Sequence, residues 1–273
     1  MSLRLTRKAG KEASGGRAGG TRFHRPPYIK TFRDRSEKYG RTVAAKEKLF
    51  QEQVDRIIER KFHAIANLSQ IDFIKRYIEP LWQLLVTYPL ETDFRENRIP
   101  FLLVVPHNIV SLSYQLETIR ERINKKPQEY IIKPEWFENA PGVLTPGEPY
   151  LILDVETGQA MMNITPAKCV EKFKQEGRSA LTIDEGLALI THFPEVLESH
   201  WVDLPGSELI HKCAGQDAMK RGMLGALPPG FGSTTFIPTL YYKYYGDLRL
   251  YYINEKTETP YSGSASCGKR LSR

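Results

Sequence analysis

Charge and apolar periodicity change at the same point, near residue 41, and that break constrains the fold more than any single motif. Residues 1–41 carry twelve Lys and Arg against three acids, Glu12, Asp34 and Glu37, a net of +9. Beyond them 27 basic residues face 29 acidic ones, a net of −2. The formal +7 of the whole chain therefore belongs to the first segment. That segment is rich in Gly, Arg, Lys and Ser and shows no apolar repeat. It cannot bury enough surface to offset the entropy of ordering, so residues 1–40 are expected to be a disordered basic tail. The core must come from residues 41–273, expected to form one compact domain.

The tail has a chemistry of its own. Its cations Arg17, Arg22, Arg25, Lys30, Arg33 and Arg35 interleave with the rings Phe23, Tyr28 and Phe32. Phosphates take such charges and bases stack on such rings. These nine residues are the candidate nucleic-acid-binding set, with RNA, a ribonucleoprotein or another acidic partner as the ligand. A solubilising role competes with this, as does organellar import, which uses Arg-rich, acid-poor leaders.

The body reads as α+β, with N-terminal helices packed on a mixed or antiparallel sheet. Val43, Leu49, Phe50, Val54, Ile57, Ile58 and Phe62 recur at three- and four-residue steps, one apolar stripe of a helix. Ser69, followed by Asp72, caps a second helix, which Pro80 should break or kink, and the two helices should form a hairpin. "IPFLLVVP" (residues 99–106) is a buried strand, and residues 111–123 read as a helix. Residues 125–148, rich in Pro and Lys, are expected to be mostly connection. "PYLILDVETG" (149–158) is a strand ending in a turn. Thr165-Pro166 starts a helix that Gly177 ends. Residues 234–254 read as a tyrosine-rich hairpin turning at Gly246-Asp247. Pro238 should place its first strand at an edge or create a bulge. Tyr241, Tyr242, Tyr244, Tyr245, Tyr251 and Tyr252 fall on both faces, so one face is available for a protein partner or a nucleotide.

"LTIDEGLALITHFPEVL" (181–197) contains an acidic pair and a histidine before a proline. Thr182 and Glu185 form a capping box, and Asp184 adds negative charge where the helix dipole favours it. His192 falls in the last turn, where the dipole also suits it, and Pro194 can start a further short helix. Together with "PYLILDVETG", "FQEQVDRIIERKFHAIANLSQIDF" and the terminal "GSASCGKR", this block resembles a bacterial family of unknown function, common in actinobacteria. The family pattern is LTxxEGxALxTHxPxxL with a Gly/Ala/Ser-rich, basic C-terminus, and the resemblance covers roughly residues 49–270. It implies a domain extent and no mechanism. The chain departs from the family in its basic tail, in the Lys/Pro-rich stretch near 124–148, and in hairpin tyrosines where the family tends to tryptophans.

"GSASCGKR" nearly matches the phosphate loop GxxxxGK[ST], but Arg270 replaces the hydroxyl residue and only three residues follow it. Its amides and Arg270 could instead form an anion pocket against the body. Cys267 lies beside Lys269 and Arg270, neighbours that favour a thiolate. With His192 and Asp154 it would make a cysteine-hydrolase arrangement, the enzymatic alternative to a binding protein. Cys169, Cys213 and Cys267 are odd in number and far apart, which argues against a disulfide framework and a paired-cysteine zinc site. The sequence calls for no cofactor and no metal. No apolar run approaches the roughly 18 residues of a membrane span. A reducing compartment, the cytoplasm, is the expected location. The leading expectation is an accessory or binding protein acting through its tail; the others are a hydrolase, and a protein-interaction module built on the tyrosine hairpin.

Overall fold

The computed structural model describes residues 43–90, 97–123, 132–210, 235–243 and 247–273. The expected disordered tail and all nine of its candidate binding residues lie outside them, as do Cys213, Tyr244, Tyr245 and Gly246. Helix α1 (Val43–Glu59) buries Leu49, Phe50, Val54 and Ile57 of the stripe read from the sequence, whereas Val43 is exposed and Phe62 lies in the next helix. A short α2 (Phe62–Ile65) and α3 (Gln70–Phe73) follow. The Ser69 hydroxyl caps α3 by accepting the Asp72 amide at 3.1 Å. One π turn (Ile74–Ile78) then leads into α4 (Glu79–Thr87), so Pro80 interrupts this helix without ending it. The Glu79 amide reaches back to the Ile74 carbonyl, five residues away, and Pro80 occupies the first turn of α4, where a missing N–H costs little. Helix α4 packs back on α1, as the hairpin reading requires. Lys46 closes the contact by donating to the Tyr88 carbonyl at 2.8 Å, beyond the C-terminus of α4.

The remaining elements are β1 (Arg98–Val104), α5 (Leu112–Ile123), β2 (Phe137–Asn139), β3 (Tyr150–Glu156), α6 (Pro166–Gln175), β4 (Ser179–Ala180), α7 (Ile183–His192), α8 (Val196–Ser199), β5 (Trp201–Asp203), β6 (Ser207–Leu209), β7 (Phe236–Lys243), β8 (Asp247–Asn254), β9 (Ser262–Ser264), β10 (Ser266–Cys267) and β11 (Lys269–Leu271). The fold is α+β. An antiparallel sheet runs β1-β3-β10-β4, with β11 also on β3. A mixed sheet runs β8-β7-β5-β9, in which β5 and β9 are parallel. Strands β2 and β6 form a separate ladder, so Phe137–Asn139 pair within a stretch read as mostly connection, of which residues 125–131 lie outside the described residues.

Two prolines mark where the strands differ from expectation. Pro238 lies within β7, which is flanked by β8 and β5, and its register with β8 is unbroken from Phe236 to Lys243. It is therefore neither on an edge strand nor at a bulge. Its carbonyl accepts the Leu204 amide at 2.9 Å, so its ring nitrogen faces a point where β5 has already ended and no donor is needed. Pro100 lies opposite Asp154, where the β1–β3 pairing skips one position. Asp154 adopts φ +50° there, a left-handed conformation rare outside glycine.

Helix α7 is the centre of the core. All ten of its residues are buried, and it touches β1, α1, α5 and β2. Strand β1 is an edge strand, and its outward backbone groups are covered by side chains. The buried Gln53 amide accepts the Leu103 N–H at 2.7 Å, and His192 Nε2 lies 3.0 Å from the Leu103 carbonyl oxygen. A carbonyl only accepts, so Nε2 carries the proton. His192 thus blocks a sheet edge that would otherwise expose unpaired groups.

Candidate functional site

The N-terminus of α7 gathers the charged chemistry of the body. The Thr182 hydroxyl accepts the Glu185 amide and Glu185 Oε2 accepts the Thr182 amide, a complete capping box. The carboxylate does more than cap. Arg270, from β11, donates through Nε to Oε1 at 2.7 Å and through Nη2 to Oε2 at 2.8 Å. The Tyr150 hydroxyl donates to Oε1 at 3.1 Å. Arg270 also donates to Ser179 Oγ at 2.6 Å and to the Ala180 carbonyl. The Glu185 side chain is fully buried, and burial holds the Tyr150 hydroxyl far above its ordinary pKa, with the Glu185 charge adding to it. The anion that Arg270 holds is internal, and "GSASCGKR" forms strands β9, β10 and β11 where a phosphate loop would need a following helix.

Cys267 lies beside this network. Burial pushes its thiol up to about 12 and the Glu185 charge adds to that, against the opposing pull of Arg270 and Arg178. Of the basic neighbours expected from the sequence Arg270 acts on the thiol, joined by Arg178, but desolvation outweighs them, and the thiol is a weak nucleophile. Asp154 is also among the charges acting on Cys267. Its carboxylate is held by Arg98 Nη1 at 2.9 Å and by Arg178 Nη1. His192 is not among those charges, and its Nε2 is committed to β1. Cys169 is buried as well. Among the described residues no cluster of three or more His, Cys, Asp or Glu could hold a metal ion, and no helix is long and apolar enough to cross a membrane.

A histidine passed over in the sequence has the most open chemistry. His107 Nδ1 lies 2.8 Å from Asp184 Oδ2, with the ring 58% exposed and the carboxylate 3% exposed. The hydrogen bond to Asp184 raises the His107 pKa against the effect of burial. The second carboxylate oxygen, Asp184 Oδ1, is buried with no hydrogen-bond partner among the described residues. This orients the imidazole and leaves its outer edge to solvent. The two residues are 77 positions apart, so no local spacing signals the pair. Elsewhere, a groove of about 290 Å³ between α6 and the start of β7 is bordered by Glu171, Lys174, Glu208 and Glu255. None of the candidates from the sequence lines it.

The second sheet buries an acid of its own. Asp203 is 2% exposed and accepts from Thr239 Oγ1 at 2.8 Å. Burial pushes its carboxyl up to about 6, against hydrogen bonds from Ser262 and Thr239 that favour the ionised form. The folded-state value lies above that of the unfolded chain. Below pH ~4 both states are protonated and there is no penalty; as pH rises to about 6, folding must take up a proton and stability falls. Asp203→Asn is expected to remove this slope and to add on the order of 2 kcal/mol at pH 7. Chemical denaturation between pH 4 and 7 checks it, and parallel profiles for parent and variant would contradict it.

The hairpin tyrosines divide between two faces. Tyr242 and Tyr252 pack against the main core, whereas Tyr251 is 50% exposed. Tyr241 lies on the opposite face, against Trp201.

Comparison with known proteins gives one result. No curated protein and no solved structure matches the chain. Residues 56–220 match the model of a family of unknown function, DUF5701. The matched stretch includes α7 with its capping box and ends before the C-terminal strands that bond back onto it. It spans more than half of the sequence, and the chain therefore belongs to the DUF5701 family.

Proposed function

We propose that this protein is a binding or accessory protein of the bacterial cytoplasm whose basic tail, residues 1–40, engages RNA, a ribonucleoprotein or another acidic partner, with residues 41–273 as one compact body. The charge partition carries this reading: +9 in the segment against −2 in the rest. Three of the body's 27 Lys and Arg are engaged internally, Arg270 with Glu185, and Arg98 and Arg178 with Asp154. The buried thiol of Cys267 and the β1-bound ring of His192 favour binding over hydrolysis by these two residues.

The test is a salt titration of labelled single-stranded RNA with the full chain. Affinity is expected to fall steeply with salt, with a logarithmic slope of about 0.7 per phosphate contact. Changing Arg17, Arg22, Arg25, Lys30, Arg33 and Arg35 to Gln should flatten the slope and abolish binding at physiological salt. Changing Phe23, Tyr28 and Phe32 to Ala should weaken binding at unchanged charge, by about 1–3 kcal/mol for each ring that stacks. Equal affinity for the parent and the six-Gln chain would overturn the reading.

A further inference from the structure

We infer that His107 is a proton-controlled cover of Asp184: the charged ring closes the tip of the β1–α5 connection over the buried carboxylate, and loss of the proton opens it. Asp184 lies in the first turn of α7 with its side chain 3% exposed. Its Oδ2 lies 2.8 Å from His107 Nδ1, and its Oδ1 is buried with no hydrogen-bond partner among the described residues. A carboxylate held out of water in this way depends on what stands beside it. The positive end of α7 offsets part of the cost. Among the described residues the remaining support is His107.

Only the tip of the connection is free to move. Gln115, itself 1% exposed, donates to the Val105 carbonyl at 3.0 Å and to the Val110 carbonyl at 2.7 Å, which fixes both ends. Pro106 and Val110 are buried, whereas His107 and Asn108 between them are exposed. Two side chains tie the tip down, His107 on Asp184 and Asn108 on the Gly147 carbonyl at 2.6 Å. Of these, only His107 reaches a buried element.

The charges acting on the ring are both negative: Asp184 from α7, and Glu135 from the turn before β2, whose Oε1 accepts the Ser113 amide at 2.9 Å. Behind Asp184, Tyr150 of β3 feels the same carboxylate, and Arg270 of β11 is bound to Glu185. The hydrogen bond to Asp184 holds the His107 pKa above the ordinary histidine value, burial works against it, and the two carboxylates add to the rise. The folded value therefore lies above the unfolded one. The closed state has its full support below pH ~6.5 and loses it as pH rises through the folded value. A neutral ring still donates one hydrogen bond, but it leaves a buried negative charge without a countercharge, and water then competes for the carboxylate. The ring is already 58% exposed, so swinging it outward uncovers little else.

The experiment is an NMR titration of the full chain, combined with amide hydrogen exchange corrected for its intrinsic pH dependence. The His107 ring should titrate above pH ~6.5, and Asp184→Asn should lower its pKa. The Ile109 and Val110 amides donate to the Pro106 carbonyl at 3.0 and 3.2 Å. They should lose protection several-fold from about pH 6 to about pH 8. His107→Gln keeps a neutral donor toward Asp184 and should show weak protection at both pH values. The Leu103 amide, held by Gln53, should stay protected in every chain and so reports an intact fold. The cover is overturned if His107 titrates at or below the ordinary value, or if His107→Gln keeps the parental protection and its pH dependence.

Discussion

Arg270→Ala is expected to destabilise the protein by about 3–5 kcal/mol, the range for removing one partner of a buried ion pair. The reason is what remains. The Glu185 side chain is fully buried, and without Arg270 its carboxylate would keep only the Tyr150 hydroxyl and the Thr182 amide. Two charge-assisted bonds at 2.7 and 2.8 Å would go, together with those to Ser179 and Ala180. The guanidinium joins three segments, β11, β4 and the start of α7, so their relative positions would loosen together. Arg270→Lys keeps the charge but cannot form the planar two-point bond, and should fall between parent and Ala. Combining Arg270→Ala with Glu185→Gln should recover part of the loss, because a neutral amide still accepts from Thr182 and no longer leaves a buried charge. Equilibrium denaturation of the four chains measures this. A loss below about 1 kcal/mol for Arg270→Ala, the size of an exposed ion pair, would mean that water screens the pair in solution.

The same pair shows what could and could not be read from the sequence. Caps need only three or four adjacent residues, and Ser69 with Asp72, Thr165 before Pro166, Gly177, and Thr182 with Glu185 are all in place. Strands β1 and β3 were legible because burial on both faces leaves an unbroken apolar run. The partners of charged groups were not legible. Arg270 is 85 residues from Glu185, and His107 is 77 from Asp184; neither separation has a period. His192 reads as the end of a helix or as a partner for Cys267, and only the position of β1 reveals that it covers Leu103. Pro238 was misjudged for the same reason, and what Pro80 does also depends on its neighbours. The cost of Pro80 depends on a π turn before it, and that of Pro238 on β5 ending one residue early. The blocks "LTIDEG" and "GSASCGKR", far apart in the chain, bond each other through Glu185 and Arg270.

Gly263→Ala is expected to cost about 3 kcal/mol, the upper end for overpacking, because nothing near it can move aside. A Cβ at Gly263 would lie 1.9 Å from the Gly158 carbonyl oxygen and 2.7 Å from its carbon. These are backbone atoms, so no rotamer change relieves the clash. Both sides are anchored. Gly263 pairs with Val202 in the parallel β5–β9 ladder. The Gly158 amide donates to Glu156 Oε2 at 3.1 Å, and its carbonyl accepts the Met161 amide at 2.8 Å. Moving β9 away would pull on β5 and on Asp203 beside it; moving the 158–161 turn would break its own bonds. Gly177→Ala provides the comparison. Gly177 has φ +66° but open space around its missing Cβ, so alanine there pays only for the left-handed backbone, about 1–2 kcal/mol. Thermal or chemical denaturation should therefore rank Gly263→Ala as the more damaging, although Gly263 is the glycine without a positive φ. Equal losses, or a greater loss at Gly177, would show that the contact between β9 and the turn yields at little cost, and that backbone conformation, not close approach, is what these glycines supply.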